Sequence, residues 1–78
     1  MARGIHDARY KRLIDALADA RRETGLTQLE LAQRLGRRQQ FVSKYESGER
    51  RLDVIEFADI ARLLGLDPAD LIAEIPLT

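Results

Sequence analysis

The chain has 78 residues, of which 45% are hydrophobic and 33% are charged, and its formal net charge is zero. This length suits one globular domain, and the absence of cysteine excludes disulfides and thiolate metal sites. One histidine is too few for a zinc cluster, and no apolar run approaches the roughly 18 residues of a membrane span, so we predict a cytoplasmic protein.

The first two predicted helices have clear ends. Helix 1 covers about residues 7–24 and is followed by Gly25, a suitable left-handed cap. Helix 2 begins with a capping box of Thr27 and Glu30 and ends at Gly36. The apolar residues at helical spacing that should form the buried faces are Leu13, Leu17, Ala20, Leu31, Ala32 and Leu35.

The third predicted helix, about residues 38–47, has two faces of different polarity. At 100° per residue, apolar side chains fall on one half of the helix: Phe41, Val42 and Tyr45. Polar side chains fall on the other half: Gln39, Gln40, Ser43, Lys44 and Ser47. We expect Phe41 to pack at the edge of the core.

Two more helices follow. A second capping box, Asp53 and Glu56, opens helix 4 over about residues 54–64. Pro68 in a first turn indicates helix 5 over about residues 68–75. No segment alternates with the period of two that a strand requires, so we predict an all-α fold without a sheet.

The charges are unevenly distributed along the chain. Residues 1–51 contain 12 Lys and Arg against 7 Asp and Glu, a net charge of +5. Residues 52–78 contain 1 against 6, a net charge of −5. This polarity indicates a basic face for nucleic-acid phosphates and an acidic far end. The alternative is a chance sorting of ordinary solvated helix charges.

The pattern resembles the Cro/repressor-type (XRE-family) helix-turn-helix domains over about residues 9–73. The residues that carry the resemblance are Thr27, Gln28, Glu30, Leu31, Ala32, Leu35, Gly36, Gln39, Val42, Ser43, Glu46 and Gly48, with Ile60, Ala61, Leu64, Gly65 and Leu66 in helix 4. The resemblance implies a compact, lambda-repressor-like bundle of five helices. Residues 1–78 would form a single domain, with the helix-turn-helix at about 27–48.

The resemblance also implies binding to double-stranded operator DNA. Helix 3 would lie in the major groove while helix 2 crosses the backbone. Glutamine amides can pair bidentately with adenine. The residues expected to contact bases are Gln39, Gln40, Ser43 and Lys44. For Phe41, the alternative to packing at the core edge is contact with a thymine methyl group. Those expected to contact phosphates are Gln28, Arg37, Arg38 and Arg50.

Arg37 and Arg38 depart from the family pattern, which usually has an apolar residue followed by Ser or Thr. A serine in the second position would cap helix 3 and contribute about 0.5–2 kcal/mol. Arginine accepts no hydrogen bond, and its charge opposes the helix dipole. No compensation is visible in the sequence, so we interpret the pair as phosphate ligands, with solvated surface charge as the alternative.

Two further expectations concern an ion pair within the fold and a contact between subunits. By the resemblance, Arg21 and Glu46 form a structural ion pair that ties helix 1 to the end of helix 3. The C-terminal region is more apolar than the docking of one short helix requires, notably at Leu71, Ile72 and Ile75. It either packs on its own core or forms a two-fold interface, and we expect a homodimer.

The leading functional hypothesis is a sequence-specific, dimeric transcriptional regulator acting as a repressor, since no effector or sensor domain is evident. The family's small stand-alone members include phage repressors, antitoxins and controller proteins, among which the sequence does not choose. The alternative is a protein-interaction module, such as an antitoxin or controller protein whose main activity is partner binding. No enzyme, cofactor or metal site is expected, and the single histidine, His6, is assigned no role.

Overall fold

The computed structural model describes residues 7–77, and His6 therefore lies outside the described residues. Five helices follow in chain order: α1 (Ala8–Glu23), α2 (Gln28–Leu35), α3 (Gln39–Ser47), α4 (Val54–Leu63) and α5 (Pro68–Ala73). Residues 7–77 contain no strand, and the predicted all-α fold of five helices is confirmed. Helices α2 and α3 form the helix-turn-helix.

Helix α5 is shorter than predicted, because it ends at Ala73 rather than near residue 75. The physical reason is Pro76, which has no N–H group and disfavours helical backbone in the residue before it. Glu74 caps the helix. The N–H group of Ile75 then donates to the carbonyl oxygen of Ile72 at 3.0 Å, which closes one tight turn.

Reciprocal capping boxes open α2 and α4. In α2 the hydroxyl of Thr27 accepts from the Glu30 N–H group at 3.0 Å, while the Glu30 carboxylate accepts from the Thr27 N–H group at 2.9 Å. Asp53 and Glu56 repeat this arrangement in α4. Gly36 caps the end of α2, and its φ of 69° lies in the left-handed region that favours glycine. Both predicted capping boxes are confirmed.

A single hydrophobic core lies between the five helices. The largest fully buried side chains are Tyr45, Leu17, Leu31, Ile60 and Val42. The residues described here include no fully buried charged residue. Because α3 contributes two of these five side chains, the core fixes which of its faces remains open to solvent.

Candidate nucleic-acid interface

The outer face of α3 carries the four side chains predicted to contact bases. Gln39, Gln40 and Lys44 are exposed, whereas Ser43 is partly exposed. The hydroxyl of Ser43 donates to the carbonyl oxygen of Gln40 at 3.3 Å, a contact within the helix. All four residues lie opposite the buried face of α3, so they form one polar surface.

Phe41 belongs to the core edge, as expected. Its side chain is buried, and its ring meets that of Tyr45 edge to face, with 5.5 Å between the ring centroids. Because Phe41 is the third residue of α3, this contact anchors the first turn of the helix. The glutamines of that turn are therefore attached to a fixed backbone.

Arg38 occupies the N-cap position of α3 and makes no side-chain capping hydrogen bond. Its side chain is exposed. The first N–H groups of a helix have no partner within the helix and carry a partial positive charge. The start of α3 thus combines an open helix end with a cationic side chain, an arrangement that attracts anions.

Arg37 has compensating contacts that the sequence did not reveal, which corrects the interpretation of this residue as uncompensated. Its guanidinium carbon lies 4.1 Å from the centroid of the Phe41 ring. Its Nη2 donates to Oε2 of Glu56 at 2.8 Å. Cation–π stacking and the ion pair both stabilise the turn before α3. The ion pair is not visible in the sequence because Glu56 lies 19 residues further along the chain.

Arg50 binds the same carboxylate. Its Nη1 and Nη2 donate to the two oxygens of Glu56, each at 2.9 Å. Its guanidinium carbon also lies 4.9 Å from the centroid of the Phe41 ring. Hydrogen bonds from Arg50 lower the pKa of Glu56 to about 2, despite the opposing effect of burial. The sequence predicts Glu56 only as a capping residue of α4.

Gln28, predicted to contact a phosphate, is turned toward another partner. Its Nε2 donates to Oε1 of Glu46 at 2.9 Å. Its backbone N–H group belongs to the first turn of α2, where N–H groups have no partner within the helix. In the free protein the side chain therefore supports Glu46, while the helix terminus stays available to a phosphate.

The structure contains the Arg21–Glu46 ion pair. Nε of Arg21 donates to one carboxylate oxygen of Glu46 at 2.7 Å, and Nη2 donates to the other at 3.0 Å. Only 11% and 6% of the two side chains are exposed. Nη1 also donates to the carbonyl oxygen of Leu26, which connects α1 to the turn before α2. The hydrogen bonds to the Glu46 carboxylate raise the pKa of Arg21.

Comparisons with known proteins place this geometry in a family. A family profile described as helix-turn-helix matches residues 17–71, more than half of the chain. A solved XRE-family like protein from Pseudomonas syringae pv. tomato is 58% identical, with a TM-score of 0.82 over 91% of this chain and 87% of that one. The chain belongs to the XRE family of helix-turn-helix proteins. An uncharacterized HTH-type transcriptional regulator of Sinorhizobium fredii, y4dJ, is 42% identical over 55 residues, or 70% of this chain and 71% of that protein.

Membership of the XRE family determines the general activity. This XRE-family protein is a DNA-binding transcriptional regulator, and its partner is double-stranded DNA. The class is not enzymatic, which confirms the prediction that the chain is no enzyme. None of the helices within residues 7–77 combines the length and the apolar composition needed to cross a membrane.

The XRE-family chain also exposes an apolar surface away from α3. Val54 and Ile55, at the start of α4, are 66% and 67% exposed, and Ile72 of α5 is 44% exposed. A groove of about 270 Å³ between α1, α4 and α5 is lined by Val54, Ile72 and Ile75. Leu71 instead packs partly buried against the core. Of the three C-terminal residues predicted for an interface, Ile72 and Ile75 thus line the groove, whereas Leu71 does not.

Proposed function

We propose that this protein is a repressor that binds a specific two-fold operator as a homodimer, with α3 in the major groove. The proposal takes residues 1–78 as one domain that acts in the cytoplasm. The observation that carries it is the outer face of α3, where four side chains able to contact bases share one surface beside an arginine-rich edge. A repressor requires nothing more than occupation of a promoter.

Each side chain on this face suits a different base contact. The amides of Gln39 and Gln40 match the N6 and N7 atoms of adenine. Lys44 suits the O6 and N7 atoms of guanine, or a phosphate at the groove edge. Ser43 can donate to or accept from either kind of base. A Gln39→Ala variant should therefore lose about 1–3 kcal/mol of discrimination at one base pair, with an unchanged salt dependence of binding.

The proposed phosphate contacts surround this face. Arg37 and Arg38 precede α3, Arg50 follows it, and Gln28 begins α2. These positions suit the geometry in which the second helix of the motif enters the groove and the first crosses the backbone. Phosphate contacts give affinity and register without base preference, so they complement the contacts from α3.

The proposed dimer surface consists of Val54, Ile55, Ile72 and Ile75. Val54, Ile72 and Ile75 line the groove described above, and Ile55 is the exposed neighbour of Val54 in the first turn of α4. Exposed apolar residues that lie together usually mark an interface, and a second copy would bury them symmetrically. A two-fold dimer would also present two copies of α3 to successive major grooves.

The experiment that tests this proposal is selection of bound fragments from a genomic library, with the affinity of the best site measured over a range of salt. A paired motif with half-sites about 34 Å apart, one helical turn, supports a dimer in the major groove. Sedimentation of the protein and of an Ile72→Glu variant tests the interface, since a buried charge should dissociate the dimer. Repression is tested with the selected site placed in a reporter promoter. Binding without sequence preference would contradict the proposal and favour an interaction module.

A further inference from the structure

Two arginines beside the start of α3 share one carboxylate, and we call this cluster of Arg37, Arg50 and Glu56 the arginine clamp. Arg37 precedes α3, Arg50 follows it, and Glu56 lies in the first turn of α4. The carboxylate accepts three hydrogen bonds from the two guanidinium groups, at 2.8 Å, 2.9 Å and 2.9 Å. Both guanidinium groups also contact the ring of Phe41. Residues distant in sequence are thereby held at one edge of α3.

We propose that Glu56 is a positioning residue for DNA binding, which holds Arg37 and Arg50 in one arrangement so that both bind phosphates beside the groove that α3 enters. The inference rests on the proposed function, from which it takes the assignment of the two arginines to phosphates. It adds that an acidic residue, which should repel DNA, strengthens binding.

The exposure of the three side chains supports this assignment. The arginine side chains are 42% and 40% exposed, whereas that of Glu56 is 12% exposed. The carboxylate is therefore shielded, and an approaching phosphate meets guanidinium groups first. Arg37 uses one of its five donors for Glu56, which leaves others for a second acceptor.

Positioning in advance lowers the cost of binding. A free arginine side chain loses rotamer freedom when it is fixed on a phosphate, and a chain that is already fixed loses less. Two neighbouring cations also repel each other, and the carboxylate between them offsets that repulsion. Because the pKa of Glu56 is lowered to about 2, the clamp stays ionised well into the acidic range and persists at the neutral pH at which DNA is bound.

The test compares two variants that each remove one negative charge from α4. Glu56→Gln breaks the charged contacts but keeps an acceptor for the capping box, which glutamine also serves. Asp59→Asn, at an exposed position one turn later, is the matched control. Affinity for a mixed-sequence DNA duplex is measured at several salt concentrations. We expect Glu56→Gln to bind about 3- to 30-fold more weakly than the wild type, while Asp59→Asn binds at least as tightly as the wild type.

A second comparison separates positioning from a general effect on folding. In a chain carrying Arg37→Ala and Arg50→Ala, the additional Glu56→Gln change should no longer weaken binding, because the residues through which it acts are gone. Glu56→Asp keeps the charge but withdraws the carboxylate by one methylene group, so we expect it to weaken binding in the wild-type background. Circular dichroism confirms that each variant is folded.

The outcomes distinguish this inference from the proposed function. If the double arginine variant binds like the wild type, with the same salt slope, the phosphate contacts themselves are wrong. If that variant loses about two units of salt slope, yet both Glu56 variants bind as tightly as Asp59→Asn, the contacts stand and positioning by Glu56 is overturned.

Discussion

Replacement of Glu46 by alanine should be the most destabilising removal of a charge in this domain. Glu46 accepts two hydrogen bonds from Arg21 and one from Gln28, at 2.7–3.0 Å. Its side chain is 6% exposed, so water cannot replace these partners in full. Truncation leaves the Arg21 guanidinium largely buried, with the Leu26 carbonyl oxygen as its remaining acceptor among residues 7–77. Loss of one partner of a buried pair costs about 3–5 kcal/mol.

We take about 3 kcal/mol, the lower end of that range, because 11% of Arg21 remains accessible to solvent. A domain of this size shifts its melting temperature by roughly 4–8 °C per kcal/mol, so the loss corresponds to at least about 12 °C. Thermal and urea unfolding followed by circular dichroism would measure it. The matched control is Glu49→Ala, an exposed carboxylate in the next loop, for which we expect a change within about 0.5 kcal/mol. Equal unfolding midpoints for the two variants would refute the assignment of a structural role to this pair.

Three further variants or conditions test the chemistry around α3. Arg38→Ser should stabilise the free protein by about 0.5–2 kcal/mol in urea unfolding, because serine supplies the missing cap of α3. The same change should weaken binding to all DNA sequences. Unchanged DNA affinity would mean that Arg38 is an ordinary solvated surface charge. Tyr45→Phe should leave the free energy of unfolding unchanged or raise it by up to about 2 kcal/mol, because the buried hydroxyl has no hydrogen-bond partner among residues 7–77. A clear decrease in that free energy, measured by urea unfolding, would show that the hydroxyl has a partner. The pKa of Glu56 is lowered from 4.5 to about 2, so the contribution of Glu56 to stability is present above pH 4.5 and is lost as the pH falls toward 2. Over that pH interval, a Glu56→Gln variant should therefore lose less stability than the wild type.

The sequence predicted the elements whose determinants are local. The capping box of Thr27 and Glu30 spans three residues, so its effect on the start of α2 is visible without tertiary structure. The left-handed turn at Gly36 is equally local, since one residue sets the backbone. The end of α5 differs from the prediction because apolar spacing extends to Ile75, whereas Pro76 disfavours helical backbone at that residue.

The contacts of the candidate site were harder to predict because they join distant segments. The sequence indicated that Arg37 and Arg50 are cationic and close to α3, yet their shared partner lies on α4. Glu56 already had a sufficient explanation as a capping residue, and nothing in its spacing indicated a second use. Gln28 shows the same limit, since its amide bonds to Glu46, 18 residues away, in the free protein. Spacing along a helix identifies the face of a residue but not its partner across the fold.

Of the two arginines in the turn before α3, Arg38 lowers the stability of the fold, whereas Arg37 does not. Arg38 leaves the helix uncapped, and its charge opposes the dipole. Arg37 is held by the Phe41 ring and by the Glu56 carboxylate, so this cation stabilises the fold while nearly half of its side chain stays exposed. Phe41 anchors the first turn of α3 from its inner side. Phe41 thus both anchors α3 and contacts the guanidinium groups of Arg37 and Arg50. Disruption of these Phe41 contacts should therefore weaken the proposed base contacts and the proposed phosphate contacts together.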